Sequence, residues 1–387
     1  MTSKRWKLPF LFVTVATLLV ILFEVFTNTQ FVKQYSKRIS IFGKLHAQNS
    51  FYASLRRHFY KNGTGLEKRF PVAWTYEEYN IIGNLSCWNE STFSQSKEEN
   101  MQIVANYPLG SSSQYLSKLG LLRPYRKLNL PSFPVIVTGA SANHYLELQG
   151  LLYDINITLA ISFQIPRLIF YDLGLYKSQR EELEKYCDCE VRDFLFDQYP
   201  KHLKILYGFA WKPVIIQILL DEYGYVLWLD TSMRFVNVSR FEDLLKKVSI
   251  YGIASWDFGF TIGSHVDPET FEFLGEDPCL YVNTSDAGGG GILVLRSNFT
   301  LEYIMRPWIS CALTYGCMVN YRSEKLTECP AGYNLGACQR FDQAILGIIL
   351  WRLYGSHETV IFPKDLVFPR KGHEIKYFHI FRESNPT

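Results

Sequence analysis

Asp230 closes the run Tyr223-Gly-Tyr-Val-Leu-Trp-Leu-Asp230, and its type and position suit it to chemistry. Val226 to Leu229 are apolar and partly β-branched or aromatic, the pattern of a fully covered parallel strand. In open α/β sheets ligands bind outside the carboxyl ends of such strands, so a carboxylate there suits a metal or a sugar. A divalent ion held by Asp230 would neutralise charge on a departing diphosphate. The plainer role is to cap the following turn through Thr231 or Ser232. Arg234 adds a cation that would pair with phosphate or with Asp230 itself. Upstream, in Trp211-Lys212-Pro213, Lys212 would meet a diphosphate and Trp211 would stack on a base or sugar, although both equally suit packing and solvent-facing roles. Asp257, after Trp256, is a general-base candidate. Gly288 to Gly291 would let a ligand approach the backbone, with Ile292 to Leu295 returning to the sheet. A flexible loop without a ligand is the alternative. No Gly-Lys-Ser/Thr follows, which argues against a phosphate loop.

Alternating strands and helices must position these residues. Val135-Ile-Val137 reads as a short strand, followed by a helix from Asn143 to Leu152 with Tyr145, Leu148, Leu151 and Leu152 at helical spacing. Arg167 to Asp172 is the next strand, Ser178 opens a charged helix, and Val191 to Phe196 is a third strand. Pro213 lies just inside the start of a helix running to Glu222, where its missing N–H costs nothing. Such alternation predicts an α/β fold: a doubly wound mixed sheet with right-handed crossovers and flanking helices. Thr138-Gly-Ala-Ser141 lacks the Gly-x-Gly-x-x-Gly continuation of a nicotinamide site. Residues 27–130 show no long clean period and read as a stem passing into an N-terminal subdomain, with 131–387 forming the main domain.

The order of a first α/β half, a Lys-Pro helix and an apolar strand ending Leu229-Asp230-Thr-Ser232 resembles GT-A-fold glycosyltransferases, especially glycogenin-like and galactosyltransferase-like enzymes. In those families the strand ends in Asp-x-Asp, which serves Mn²⁺ and the sugar nucleotide. Here Ser232 stands at the second acidic position. The resemblance implies a nucleotide-sugar donor and a Mn²⁺ or Mg²⁺ ion, with Asp230 and His379 as metal ligands. It implies donor contacts from Lys212, Asp230, Ser232, Arg234 and Gly288, Gly289, Gly290 and Gly291. Asp286-Ala-Gly-Gly-Gly-Gly-Ile is similar to the element lining the sugar and acceptor pocket. Arg340-Phe-Asp342-Gln343 is similar to the Asp-Gln element opening an acceptor-side helix, where Asp342 would orient an acceptor hydroxyl or take its proton. The bland role for Asp342 is a helix N-terminal acid favoured by the dipole. More narrowly, Trp211-Lys-Pro213, Trp228 to Ser232 and Phe341-Asp-Gln343 resemble a nematode-expanded family of single-pass proteins catalogued as a domain of unknown function.

The chain as a whole points to the secretory lumen. Lys4, Arg5 and Lys7 precede an apolar run from residue 8 to 26, about long enough to cross a thin bilayer. Charge on that side keeps residues 1–7 cytoplasmic and sends the rest across; a cleaved signal peptide is the rival reading, against which Phe26-Thr-Asn-Thr-Gln30 lacks a small-x-small site. Sequons at Asn62, Asn84, Asn89, Asn156, Asn237, Asn283 and Asn298 exceed the roughly two expected by chance. All eight cysteines lie beyond the run and suggest disulfides, since none has the paired spacing of a zinc site. With 40 basic and 37 acidic residues the charge is nearly balanced, and no basic block interleaved with aromatics offers a nucleic-acid groove. The expectation is a single-pass type II protein of the Golgi or endoplasmic reticulum membrane. It would move sugar from a nucleotide donor to a glycan, protein or lipid acceptor. The alternatives are a catalytically inactive GT-A-like module that binds glycans or proteins, and a secreted, disulfide-bonded adhesion protein.

Overall fold

Short apolar runs separated by turn residues become the strands of a six-stranded sheet and a smaller two-stranded one. The computed structural model describes residues 95–109, 113–163, 167–321, 326–327, 329, 336, 338–355, 357–363, 365–369 and 374–379. The strands are β1 (Val135–Ala140), β2 (Leu168–Asp172), β3 (Glu190–Asp193), β4 (Tyr225–Leu229), β5 (Met233–Phe235), β6 (Ile253–Thr261), β7 (Ser285–Leu295) and β8 (Val367–Pro369). The principal helices are α1 (Lys97–Ala105), α2 (Tyr145–Asp154), α3 (Lys177–Tyr186), α4 (Trp211–Tyr223), α5 (Phe241–Tyr251), α6 (Arg306–Leu313) and α7 (Phe341–Tyr354).

Six strands form the main sheet in the order β3-β2-β1-β4-β7-β6, and β5 pairs with β8 in a small second sheet. β3, β2, β1 and β4 run parallel, joined through helices, as the alternation predicts. β7 then runs antiparallel to β4, and β6 antiparallel to β7. The result is a mixed, mostly parallel α/β sheet with β4 inside it.

Every residue of β4 is buried, because both faces of the sheet are covered. Val226 and Trp228 face a core shared with α4, α6 and α7, while Tyr225, Leu227 and Leu229 face one shared with α5. That alternation is the period of two expected of a strand.

The glycine run is strand, not the flexible loop of the alternative reading. Gly288 to Gly291 lie within β7, Gly291 opposite Leu229 and Gly288 opposite Trp256. Glycine is a poor strand former, but pairing on both sides overrides that preference. A side chain would not fit: a Cβ on Gly288 would lie 2.7 Å from the Trp256 carbonyl oxygen, and one on Gly289 would lie 2.8 Å from Asp342 Oδ2.

Helix α1 falls in the stretch read as stem and subdomain, yet it is fastened to the main domain. Arg352 of α7 donates to Asn100 Oδ1 at 3.1 Å and to both carboxylate oxygens of Glu276. The buried Tyr107 and Tyr281 hydroxyls donate to the same carboxylate at 2.6 and 2.9 Å. Disulfides join Cys187–Cys189, Cys311–Cys317 and Cys329–Cys338, and Cys279 is also disulfide-bonded. Among the described residues no helix is long and apolar enough to cross a membrane. The expected anchor at residues 8–26 lies outside them, as do Asn62, Asn84 and Asn89. Asn156, Asn237, Asn283 and Asn298 are all exposed.

Candidate functional site: a lysine clamped by two carboxylates

Of the three acids at the carboxyl ends of the parallel strands, Asp172, Asp193 and Asp230, the first and last do different work. Asp172, at the end of β2, accepts from the amides of Gly174 and Leu175 through Oδ1, each at 2.8 Å, and so caps its own turn. Asp230 directly follows β4 and accepts nothing from the turn through its side chain; the turn is closed by the Met233 amide on the Asp230 carbonyl at 2.9 Å. Its Oδ1 instead accepts the Trp228 indole N–H at 2.7 Å and lies 3.0 Å from Lys212 Nζ. Its side chain is 30 % exposed, and among the described residues Oδ2 has no hydrogen-bond donor.

Helix α4 brings Lys212 to this point. Its ammonium lies 2.8 Å from Asp342 Oδ2 and donates to the Gly289 carbonyl at 3.2 Å, and its side chain is only 2 % exposed. The rings of Phe209 and Trp228 lie 4.9 and 5.6 Å from Nζ. Burial alone would lower the lysine pKa, but the Asp230 and Asp342 carboxylates more than offset this and hold it above the ordinary range. Asp342 is 4 % exposed. Burial raises its pKa, Lys212 opposes the rise and Asp230 adds to it, leaving the carboxyl above its ordinary value.

The first turn of α7 and the glycine strand are laced together behind this clamp. The Gly289 amide donates to Gln343 Oε1 at 3.3 Å, and Gln343 Nε2 donates to Asp286 Oδ2. His265 Nδ1 lies 2.8 Å from that oxygen, while Asp286 Oδ1 is buried without a hydrogen-bond partner. Arg340 is set among Asp286, Asp342 and Asp230, and burial lowers its pKa against their pull. Phe209, three residues before Lys212, and Phe341, directly before Asp342, both have positive φ, 49° and 46°. Bulky residues seldom adopt that conformation, which costs of order 1–3 kcal/mol each. Their ring centroids lie 6.3 Å apart.

The rim carries a residue that the sequence reading passed over. His144 follows the β1 turn with its side chain 55 % exposed, and Nδ1 lies 3.3 Å from Glu147 Oε2. Thr231, next to Asp230, donates to the same Oε2 at 2.6 Å. The Glu147 hydrogen bond raises the His144 pKa, partial burial opposes it, and the charges of Glu147 and Asp230 add to the rise. Only a surrounding rich in acids could have marked this histidine, and that surrounding is assembled from separate segments.

The other expected site residues fall as follows. Gly289 and Gly290 lie against the clamp, where a Cβ would come 2.8 Å from Asp342 Oδ2 and 3.6 Å from Asp230 Oδ2, whereas Gly288 and Gly291 face Trp256 and Phe362; Ser232 is half-buried in the turn beyond Asp230. Arg234 is 2 % exposed and donates to the carbonyls of Thr231, Met233 and Glu147, so it braces the β4–β5 turn. Trp211 is buried, donating to the Leu206 carbonyl at 3.0 Å. Asp257 sits on β6 opposite Ala287, with its side chain outside the described part of the structure. His379 is exposed, its amide donating to the Lys376 carbonyl at 3.1 Å.

The residues present fit a divalent ion poorly. Among the described residues the group that could hold one is His265, Cys329 and Cys338, and both cysteines are spent in a disulfide. Asp230 and His379 form no such group, and the Asp230 carboxylate already faces an ammonium. The place between the Asp230 and Asp342 carboxylates is already taken by the Lys212 ammonium, 3.0 and 2.8 Å from them.

Residues 126–217 match a family model described as "Protein of unknown function (DUF1647)". Its description gives neither an organism range nor a reaction. No curated protein matches the chain. Similar solved structures include the galactosyltransferase LgtC with donor and acceptor sugar analogues, at 14% identity and TM-score 0.34, covering 62% of this chain and 87% of that one. A mannosyltransferase from S. cerevisiae in complex with GDP gives 10% identity and TM-score 0.38, with 70% and 85% covered. Mouse xyloside xylosyltransferase 1 gives 13% identity and TM-score 0.33, with 59% and 83% covered. At these scores no residue role passes from those proteins to this chain.

Proposed function

We propose that this chain is a nucleotide-sugar-dependent glycosyltransferase acting on a glycan, protein or lipid acceptor. The observation that carries the reading is the buried Lys212 ammonium clamped by Asp230 and Asp342 at the carboxyl end of β4. Oriented charge at a strand's carboxyl end suits a polar ligand. The glycine strand beside it leaves backbone in place of side chains. In this reading Asp230 Oδ2 accepts a hydroxyl of the donor sugar, and Lys212 fixes that carboxylate. Asp342, enclosed behind the ammonium, positions Lys212. Transfer breaks the bond between the anomeric carbon and the diphosphate oxygen and forms one to the acceptor oxygen. The acceptor's proton passes to a carboxylate, for which Asp257 is the candidate on the neighbouring strand.

The sequons and disulfide-bonded cysteines support placing this activity in the secretory lumen, with residues 8–26 as the anchor of a type II protein of the Golgi or endoplasmic reticulum. Donor hydrolysis and transfer by the full chain in detergent, across a panel of UDP- and GDP-sugars, tests the reaction. Activity lost in Asp230→Asn supports the reading. No turnover of any donor, with Asp230→Asn behaving as wild type, refutes it.

Ser232 at the second acidic position favours one other reading, a catalytically inactive module that binds glycans or proteins. Calorimetric binding of glycan with no nucleotide binding would select it.

A further inference from the structure

A site that binds a sugar nucleotide must set positive charge against its pyrophosphate. Around Asp230 the described groups that carry or can carry positive charge include Lys212, Arg340 and His144. Lys212 lies 3.0 Å from Asp230 Oδ1 and 2.8 Å from Asp342 Oδ2, between the carboxylates that a metal would need. Ser232 offers a hydroxyl in place of a second acid, and His379 joins no metal-competent group among the described residues. At the rim His144 is 55 % exposed and hydrogen-bonded to Glu147, which also accepts from Thr231 beside Asp230. Glu147 and Asp230 are the charged groups that act on it.

We propose that this site takes the pyrophosphate of its donor without a divalent metal, the Lys212 ammonium standing at the cation position and the His144 imidazolium supplying the exposed positive charge. The inference rests on the glycosyltransferase reading. The two carboxylates outweigh the Lys212 ammonium by one charge, and that ammonium, 2 % exposed, presents little of its own outward. His144 differs, since its ring is open to a ligand and its charge is favoured by acids behind it. An anion arriving from solvent meets the imidazolium first.

The test uses the full chain in detergent, with UDP and GDP as probes. Binding is measured calorimetrically in excess EDTA and again in saturating Mn²⁺, and Mn²⁺ itself is followed by electron paramagnetic resonance with UDP present. The expected result is affinities agreeing within about threefold and no site-bound Mn²⁺, because each tenfold change would require about 1.4 kcal/mol of metal contribution. His144→Gln, an exposed change, is expected to weaken UDP or GDP binding by about tenfold, the scale of one charge-assisted hydrogen bond. Wild-type binding is expected to weaken as pH rises past neutrality, and the variant's to stay level. Binding that needs Mn²⁺, or a bound Mn²⁺ signal lost in Asp230→Asn, overturns the metal-free inference while leaving the donor reading standing. Unchanged affinity in His144→Gln overturns the role of His144. No binding of either nucleotide in either condition, together with no donor turnover, removes the donor reading and the inference with it.

Discussion

Replacing Lys212 with Met keeps a chain of similar length in α4 and removes its charge. Asp342, 4 % exposed, is then left beside Asp230 without a cation between them. Deleting one partner of a buried ion pair costs about 3–5 kcal/mol, because the remaining charge stays buried and unpaired. The Gly289 carbonyl loses its ammonium donor as well, adding about 1 kcal/mol. Protonation relieves part of this. Burial already raises the Asp342 pKa against the pull of Lys212, and without the lysine it climbs further. A carboxyl with a raised folded pKa contributes stability that is fully present below its unfolded value and lost as pH rises through the folded one. The deficit of Lys212→Met therefore grows from about pH 4 upward and shrinks on acidification. Urea unfolding of the full chain, followed by tryptophan fluorescence at about pH 5 and about pH 8, reads both terms. Adding Asp342→Asn should recover most of the loss and flatten its pH dependence. A variant within about 0.5 kcal/mol of wild type at the higher pH, or a deficit indifferent to pH, would refute the clamp as described.

Gly289→Ala places a Cβ 2.8 Å from Asp342 Oδ2 and 3.4 Å from Gln343 Cβ, so it should cost about 1–3 kcal/mol in thermal unfolding. Gly290→Ala, whose nearest neighbour is the flexible end of Met233, should be milder, and equal losses would count against the packing account. Arg352→Met leaves the buried Glu276 carboxylate with its two tyrosine donors but no counter-charge and should destabilise by about 3–5 kcal/mol. Its signature is faster amide exchange across α1, and unchanged protection there would show that the helix is held by other means. Enzymatic deglycosylation of the chain made in secretory cells should lower its apparent mass through the exposed Asn156, Asn237, Asn283 and Asn298; a chain with no attached glycan contradicts lumenal placement.

The parallel half was legible because its strands carry their own signal. Val226 to Leu229 read as a strand covered on both faces, and β4 is that strand. The helix expected from Pro213 is α4, begun two residues earlier at Trp211. The glycine strand was harder, since a residue without a side chain carries no hydrophobic period, and its pairing is decided by neighbours far along the chain. Helix α1 was obscured for another reason: Arg352 and Glu276 fasten it through a buried polar cluster, with no apolar stripe needed to mark it. Within the site, the residue types pointed to Asp230, Lys212 and Asp342 one at a time. Their convergence on a single ammonium is tertiary information, and so is the acidic setting of His144.

The clamp also bears on how the polypeptide matures. Lys212 enters the core with the parallel half, whose contacts are largely local, whereas Asp342 arrives only when α7 docks across β7. Contacts between such distant segments close late, because their loop entropy must be met first. Until then a growing chain holds an ammonium aimed at an apolar interior with half its counter-charge missing. A product cut short before Phe341 would remain in that condition permanently. Truncated or misspliced forms should thus be recognised as unfolded and degraded rather than persist as shortened, inactive copies.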